Sequence, residues 1–334
     1  MKQIFLFLIL LSFIGCDNED DLKYTDNSFY STFRYDSITK ADPNDEVQTY
    51  IHEFYQKTGV VIIKNPQIAD YRYNFNDSGN LLLTAPEQNN ELLMKGIKLL
   101  EDVFINYYLY PASDKTTKDY SFIKKYFPFT LQLADTIQKT YISGYVGTFD
   151  DIITRKLVAV GRINTEIDNL SDIDIQNLRK DINSTFWQNQ MINYTQYFTV
   201  PKNFYNYSSE YYGKNYYEDL FVDHKDWIYY DYYYYDAGIN YDNIDDFKNF
   251  YYERGFLNPN YYVVYDYYFS YTDPIFISRD ADIKDFIKGL FSYTKAEFEL
   301  IEVNNLKIEG KYNALRDAIL EQFNFDIANF FIKE

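Results

Sequence analysis

The sequence predicts an α+β fold, helix-rich, with a mixed sheet in its N-terminal half, and three observations carry that prediction. A β-branched run at 60–63 and a strand-like segment at 156–162 alternate with helically spaced apolar segments through the first two hundred residues. The stretches 91–108 and 172–198 are too long for strands and repeat their apolar residues three and four apart. After Phe198 the composition turns Tyr-rich, and helical spacing returns at 282–294 and 313–331.

Element by element, the chain opens with Lys2, an apolar run from Ile4 to Leu11, and Ser12-Phe13-Ile14-Gly15-Cys16. One positive charge, a short apolar core and a small residue before a cysteine are the layout of a secretory signal, residues 1–15. The run is too short to cross about 30 Å of hydrocarbon as a helix. Phe13-Ile14-Gly15-Cys16 is similar to a bacterial lipobox, with Phe13 where Leu is usual, so lipidation is expected on Cys16, the single cysteine. Internal disulfides are thereby excluded, and the fold must rest on its core. Asp17-Asn18-Glu19-Asp20-Asp21 begins a polar, acidic tether over residues 16–44. A single domain is expected over 45–332, with an N-terminal α/β half to about residue 200 and a Tyr-rich helical half after it.

Within that domain, Val47, Ile51 and Phe54-Tyr55 fall at helical spacing before Gly59. Val60–Ile63 reads as a strand and Tyr71–Phe75 as a second. Glu91–Tyr108 is a long amphipathic helix, Phe127–Leu133 and Lys156–Arg162 are strands, and Asp172–Phe198 is a second long helix with the stripe Ile175, Leu178, Ile182, Phe186. Asp282–Thr294 is helical, and Asn313–Phe331 is a last amphipathic helix or helix pair.

Lys and Arg total 32 against 50 Asp and Glu, a net charge of −18. Such a surface repels phosphate backbones, which argues against nucleic acid as a partner. It also lacks a polybasic patch for anionic lipid, leaving acyl chains as the membrane contact.

The chemistry-bearing residues are sparse. Of the two histidines, His52 lies in His52-Glu53-Phe54-Tyr55-Gln56, one residue short of a zinc-binding His-Glu-x-x-His, and reads as a surface-helix histidine. His224, between Asp223 and Asp226, reads as a surface or packing residue. Two histidines without a thiol pair cannot close a structural zinc site. There is no Gly-x-Ser-x-Gly elbow. Asp242, Asp245 and Asp246 offer oxygens but miss the spacing of a calcium loop. More than half of the 39 tyrosines lie between Tyr194 and Tyr271. The stretch admits two readings: AT-rich coding, which favours Tyr together with Asn, Ile, Lys and Phe, or exposed stacking platforms for sugars or protein contacts.

In pattern, the span from Val47 to Phe331 resembles the zinc-binding metallopeptidase lipoproteins of Bacteroidetes, also called substrate import-associated zinc metallohydrolase lipoproteins. Tyr50-Ile51-His52-Glu53-Phe54 with Val60–Ile63 looks like that family's first helix and strand. Leu157–Asn164 looks like the strand before its active-site helix, and Ile308–Arg316 like its closing helix. The acidic stretch after Cys16 is similar to the signal that sends such lipoproteins to the outer face of the outer membrane.

The resemblance implies a zincin-like fold and a helix carrying His-Glu-x-x-His, yet Gln196, Pro201 and Phe204 set a register in which Gln188, Asn189 and Ile192 stand at the first His, the Glu and the second His. A later acidic segment of the family reads Lys284-Asp285-Phe286-Ile287-Lys288, with lysines where two glutamates belong. With those positions changed, the resemblance implies a metallopeptidase-like pseudoenzyme without metal or other cofactor. It would be a surface lipoprotein accessory to SusD-like and TonB-dependent import of peptide or glycan. The alternative is a hydrolase, built on carboxylates or on a metal site relocated around His224.

Overall fold

The computed structural model describes residues 34–71, 80–110, 114, 116–141, 143–193, 197–214, 228–231, 236–239, 244–257 and 277–332. The first half is organised by a four-stranded sheet in the order β1 (Val61–Ile63), β3 (Thr130–Leu133), β7 (Leu157–Val160), β6 (Asp151–Ile153). β1, β3 and β7 are parallel and β6 is antiparallel, so the sheet is mixed. β7 reads as an unbroken apolar run because both its faces are buried. Val158 and Val160 join the main core with the helices, while Leu157 and Ala159 join a second cluster with Leu81, Leu83 and Ile137. Those three belong to a smaller antiparallel sheet of β2 (Asn80–Thr84), β4 (Thr136–Thr140) and β5 (Val146–Phe149).

The helices on the first face are α1 (Glu46–Thr58) and α3 (Asn90–Val103), with α2 (Ile68–Tyr71) and α4 (Ser121–Tyr126) as short connectors. α1 begins where the Asp45 carboxylate accepts from the Gln48 amide, and ends at Gly59, whose φ of 72° is one that a side chain resists. α5 (Asp172–Phe186) starts with a reciprocal capping box between Ser171 and Asp174. The second half adds α6 (Lys202–Asn206), the hairpin β8 (Ile228–Asp231)–β9 (Asp236–Ile239) and α7 (Ile244–Tyr252). α8 (Arg279–Leu290), α9 (Lys295–Asn304), α10 (Leu306–Phe323) and a 3₁₀ turn at Ile327–Phe330 complete it. α8 packs on α5, and α10 packs on α6 and α9. The fold is therefore α+β and helix-rich among the described residues, as the apolar spacing predicts.

Several boundaries differ from the sequence expectation. Tyr71, expected in a strand, is the last residue of α2, and 72–79 lie outside the described residues. The helix expected to run to Tyr108 ends at Val103 and continues as a 3₁₀ turn at Ile105–Tyr108. Its β-branched and aromatic tail gives up the wider α turn to bury Ile105, Tyr107 and Tyr108. The expected helix 172–198 is α-helical only to Phe186 and then widens into a π-helix at Trp187–Ile192. α8 starts three residues early because Ser278 caps it, and α10 starts at Leu306 rather than Asn313.

Candidate functional site

The π-helix forms where the Trp187 and Met191 side chains are drawn wholly into the core and Ile192 nearly so. Such widened turns recur at functional sites because they re-aim side chains that an α-helix would stack. Here the turn leaves Gln188 half-buried and Asn189 exposed, and it brings the start of the segment against α8. The Gln188 side-chain amide donates to the backbone carbonyl of Lys284 at 3.3 Å. The Lys284 ammonium turns outward to Asp280, 2.6 Å away and one helical turn back. Lys288 is half-buried, and its carbonyl accepts from the Ser292 hydroxyl. Gln188 and Lys284 are thus brought together, while Ile192 is sealed against the core.

These residues do not fit a zinc ion. The amide of Gln188 is spent on a carbonyl, Ile192 offers only hydrocarbon, and Lys284 brings a positive charge where a dication needs anionic oxygen. Among the described residues no group of three or more His, Cys, Asp and Glu is placed to hold a metal ion. His52 is occupied elsewhere, its Nδ1–H donating to the Thr39 carbonyl at 2.8 Å. Asp245 and Asp246 are exposed in the first turn of α7. Cys16, His224 and Asp242 lie outside the described residues.

α8 also contributes to a fully buried ion pair. Lys311, from α10, has no exposed surface, and its ammonium bonds Asp282 at 2.7 Å. The rings of Phe204, Phe256 and Tyr212 surround that ammonium at 5.0, 4.8 and 5.8 Å, so its other protons meet aromatic faces. The Tyr212 hydroxyl donates to the same Asp282 oxygen, and the second oxygen has no hydrogen-bond partner. Burial works against both charges, raising the Asp282 carboxyl and lowering Lys311 to about 8, and the ion pair opposes both shifts. Gly255 makes the box possible. Its φ of 85° is left-handed, and a Cβ there would stand 2.5 Å from the Ser208 hydroxyl and 3.1 Å from Lys307 Cβ.

A second buried polar cluster ties α5 to the end of the described chain. Arg179 donates to the Phe291 carbonyl at 2.8 Å and the Phe331 carbonyl at 3.3 Å. One turn on, the Asn183 amide donates to the Val103 carbonyl and its oxygen accepts from the Tyr108 hydroxyl. Sequence reading passed over these residues, although a signal was present. Lys311 falls on the stripe Ile308, Lys311, Tyr312, Leu315, Ile319, and Arg179 and Asn183 fall beside Leu178, Ile182 and Phe186. A charged or amide side chain at a core position of an amphipathic helix marks a buried pair.

The protein is thus α+β, and where the π-helix meets α8 a glutamine amide closes on a backbone carbonyl. Comparison with protein-family models and with curated proteins finds no match. Among solved structures, the chain is similar to a protein of Bacteroides caccae described as a putative zinc-binding metallo-peptidase. The TM-score is 0.46 at 11% identity, with 87% of this chain and 91% of that chain covered.

Proposed function

We propose that this protein is a non-catalytic, lipid-anchored surface protein on a zincin-like scaffold, assisting the capture of peptide or glycan for a SusD-like, TonB-dependent importer. The observation that carries the non-catalytic part is the contact between Gln188 and Lys284. In the register that the sequence resemblance sets for the imidazoles and carboxylate of a hydrolytic relative, an amide closes on a helix carbonyl and the neighbouring lysine points away. Without three ligands and an open position there is no metal-bound water to act as nucleophile. Anchorage is supported by the lipobox-like Phe13-Ile14-Gly15-Cys16 and the acidic run behind it. No helix among the described residues is long and apolar enough to cross a membrane, so the acyl chains would make that contact.

Two measurements test the reading. Metal analysis of the untagged protein should find less than about a tenth of an equivalent of zinc. Stoichiometric zinc that disappears in His224→Ala would replace the proposal with a metallohydrolase. Affinity capture from solubilised membranes should recover an importer pair in wild type and lose it in Cys16→Ser. Capture of the protein alone from both would remove the accessory role.

A further inference from the structure

α9 and α10 face each other across a cavity of about 480 Å³. One stripe of α9, Lys295, Phe298, Glu299 and Glu302, meets one stripe of α10, Glu309, Tyr312, Asn313 and Arg316, and both follow the three- and four-residue spacing of a single helical face. The floor is aromatic. Phe298, Tyr312 and Phe331 pack with tilted rings whose centroids lie 4.9 to 5.9 Å apart.

The charges around that floor are unequally satisfied. Lys295 pairs with Glu299 at 3.3 Å, and Arg316 pairs with Asp326 through two bonds of 3.0 and 3.1 Å. Neither Glu302 nor Glu309 is in a salt bridge among the described residues, and their charges oppose each other across the cavity while Arg316 and Lys295 attract Glu302 more weakly. Tyr312 retains 8% of its surface, and no described residue bonds its hydroxyl, which sits among the charges of Asp326, Arg316, Glu302 and Glu299. A tyrosine hydroxyl bonded to no described residue and two carboxylates outside any salt bridge thus line a cavity of ligand size, all three open to an incoming donor.

We propose that this cavity binds the basic side chain of a peptide, its cationic nitrogen held between Glu302 and Glu309 and hydrogen-bonded to the Tyr312 hydroxyl oxygen. A cation with several N–H donors supplies what each group lacks, and the alkyl stem lies along the aromatic floor. A hard dication is a poorer occupant. Calcium takes six to eight oxygens, and here two of the four lining carboxylates, Glu299 and Asp326, are already paired with Lys295 and Arg316. The site depends neither on the membrane anchor nor on the importer.

Affinity should also depend on pH. Burial and the charges of Glu309 and Glu299 push Glu302 up to about 7, against the opposing influence of Arg316 and Lys295, so its protonation removes half of the carboxylate pair. Asp326 and Tyr312 complete the titratable surroundings.

The test is calorimetric titration of the full chain at low salt with capped Gly-Lys-Gly, its Nε-acetylated form and capped Gly-Arg-Gly. At pH 8 the two cationic peptides should bind with one site and the acetylated peptide should not. Glu302→Gln with Glu309→Gln should weaken binding at least tenfold, and Tyr312→Phe, close to isosteric, severalfold with an unchanged melting temperature. Glu321→Gln, on an exposed part of α10 outside the cavity, should leave affinity as it was. Binding should weaken between pH 8 and 5.5. Equal binding of the acetylated peptide, an equal loss in Glu321→Gln, or pH-independent binding each refutes the site. One equivalent of calcium bound and lost with the double variant would make it a metal site instead. A failed capture of importer proteins leaves this result untouched, and a failed titration leaves the anchored, non-catalytic reading standing.

Discussion

Breaking the Lys311–Asp282 pair from one side should cost more than removing it altogether. Lys311 is fully buried and Asp282 has 2% of its surface exposed, so neither charge reaches water when its partner is deleted. Leaving one charge of such a pair alone costs about 3–5 kcal/mol, whereas replacing both by well-packed hydrocarbon is often neutral or stabilising. Asp282→Leu and Lys311→Met should therefore each lower unfolding stability in urea by about 3–5 kcal/mol at pH 7. The double variant should recover most of that loss, since the Phe204, Phe256 and Tyr212 rings already form an apolar lining.

A second readout comes from pH. Lys311 lies near 8 in the folded state and near its ordinary value of about 10.4 when unfolded. Between those values the unfolded chain binds more protons, so the Lys311 contribution to stability improves as pH rises from about 8 to 10.4. Lys311→Met should lack that rise. Single variants costing under about 1 kcal/mol, or a double variant as damaged as the summed singles, would falsify the picture of a dry, mutually dependent pair.

The geometry sets three further outcomes. Gly255→Ala adds left-handed strain of about 1–2 kcal/mol and a clash with the Ser208 hydroxyl, so thermal unfolding should show at least that loss; an unchanged melting temperature would refute the close approach. Burial and the neighbouring Asp181 and Asp150 push Asp151 up to about 7, so the stability it allows is full below about pH 4 and is lost as pH rises through 7. Asp151→Asn should consequently be more stable than wild type at pH 8 by more than about 1.4 kcal/mol, with the gain absent near pH 4; equal gains at both pH values would contradict the shift. Arg179→Met strips donors from the Phe291 and Phe331 carbonyls, at about 1–3 kcal/mol for each buried group left unpaired. Hydrogen exchange should quicken around both residues, and unchanged exchange would count against the tie.

The parts of the fold legible in the sequence are those with local causes. α1 is bracketed by the Asp45 cap and Gly59, and β7 announces itself because a strand buried on both faces must be apolar throughout. β2 went unread because Leu81-Leu82-Leu83 shows no alternation, although Leu82 faces outward; its pairing with Thr136–Thr140 is set more than fifty residues away. The π-helix left no local mark either, since it arises from which residues the core accepts at Trp187, Met191 and Ile192. The candidate site divides in the same way. The scarcity of histidines is visible in composition, whereas the meeting of Lys311 with Asp282, or of Gln188 with Lys284, exists only after α8 has docked.

The two carbonyls that hold Arg179 come from residues 112 and 152 positions later in the chain. During synthesis, α5 is complete long before either acceptor has been made. Until residues 291–331 arrive, burying that guanidinium would strand a charge away from water, which discourages α5 from settling into a core. Ribosome and chain thus proceed with a deliberate incompleteness, and closure of the domain waits on its final turns. For a polypeptide proposed to be threaded through a membrane before it folds, a latch whose acceptors are made last defers closure of the domain until the chain is nearly complete.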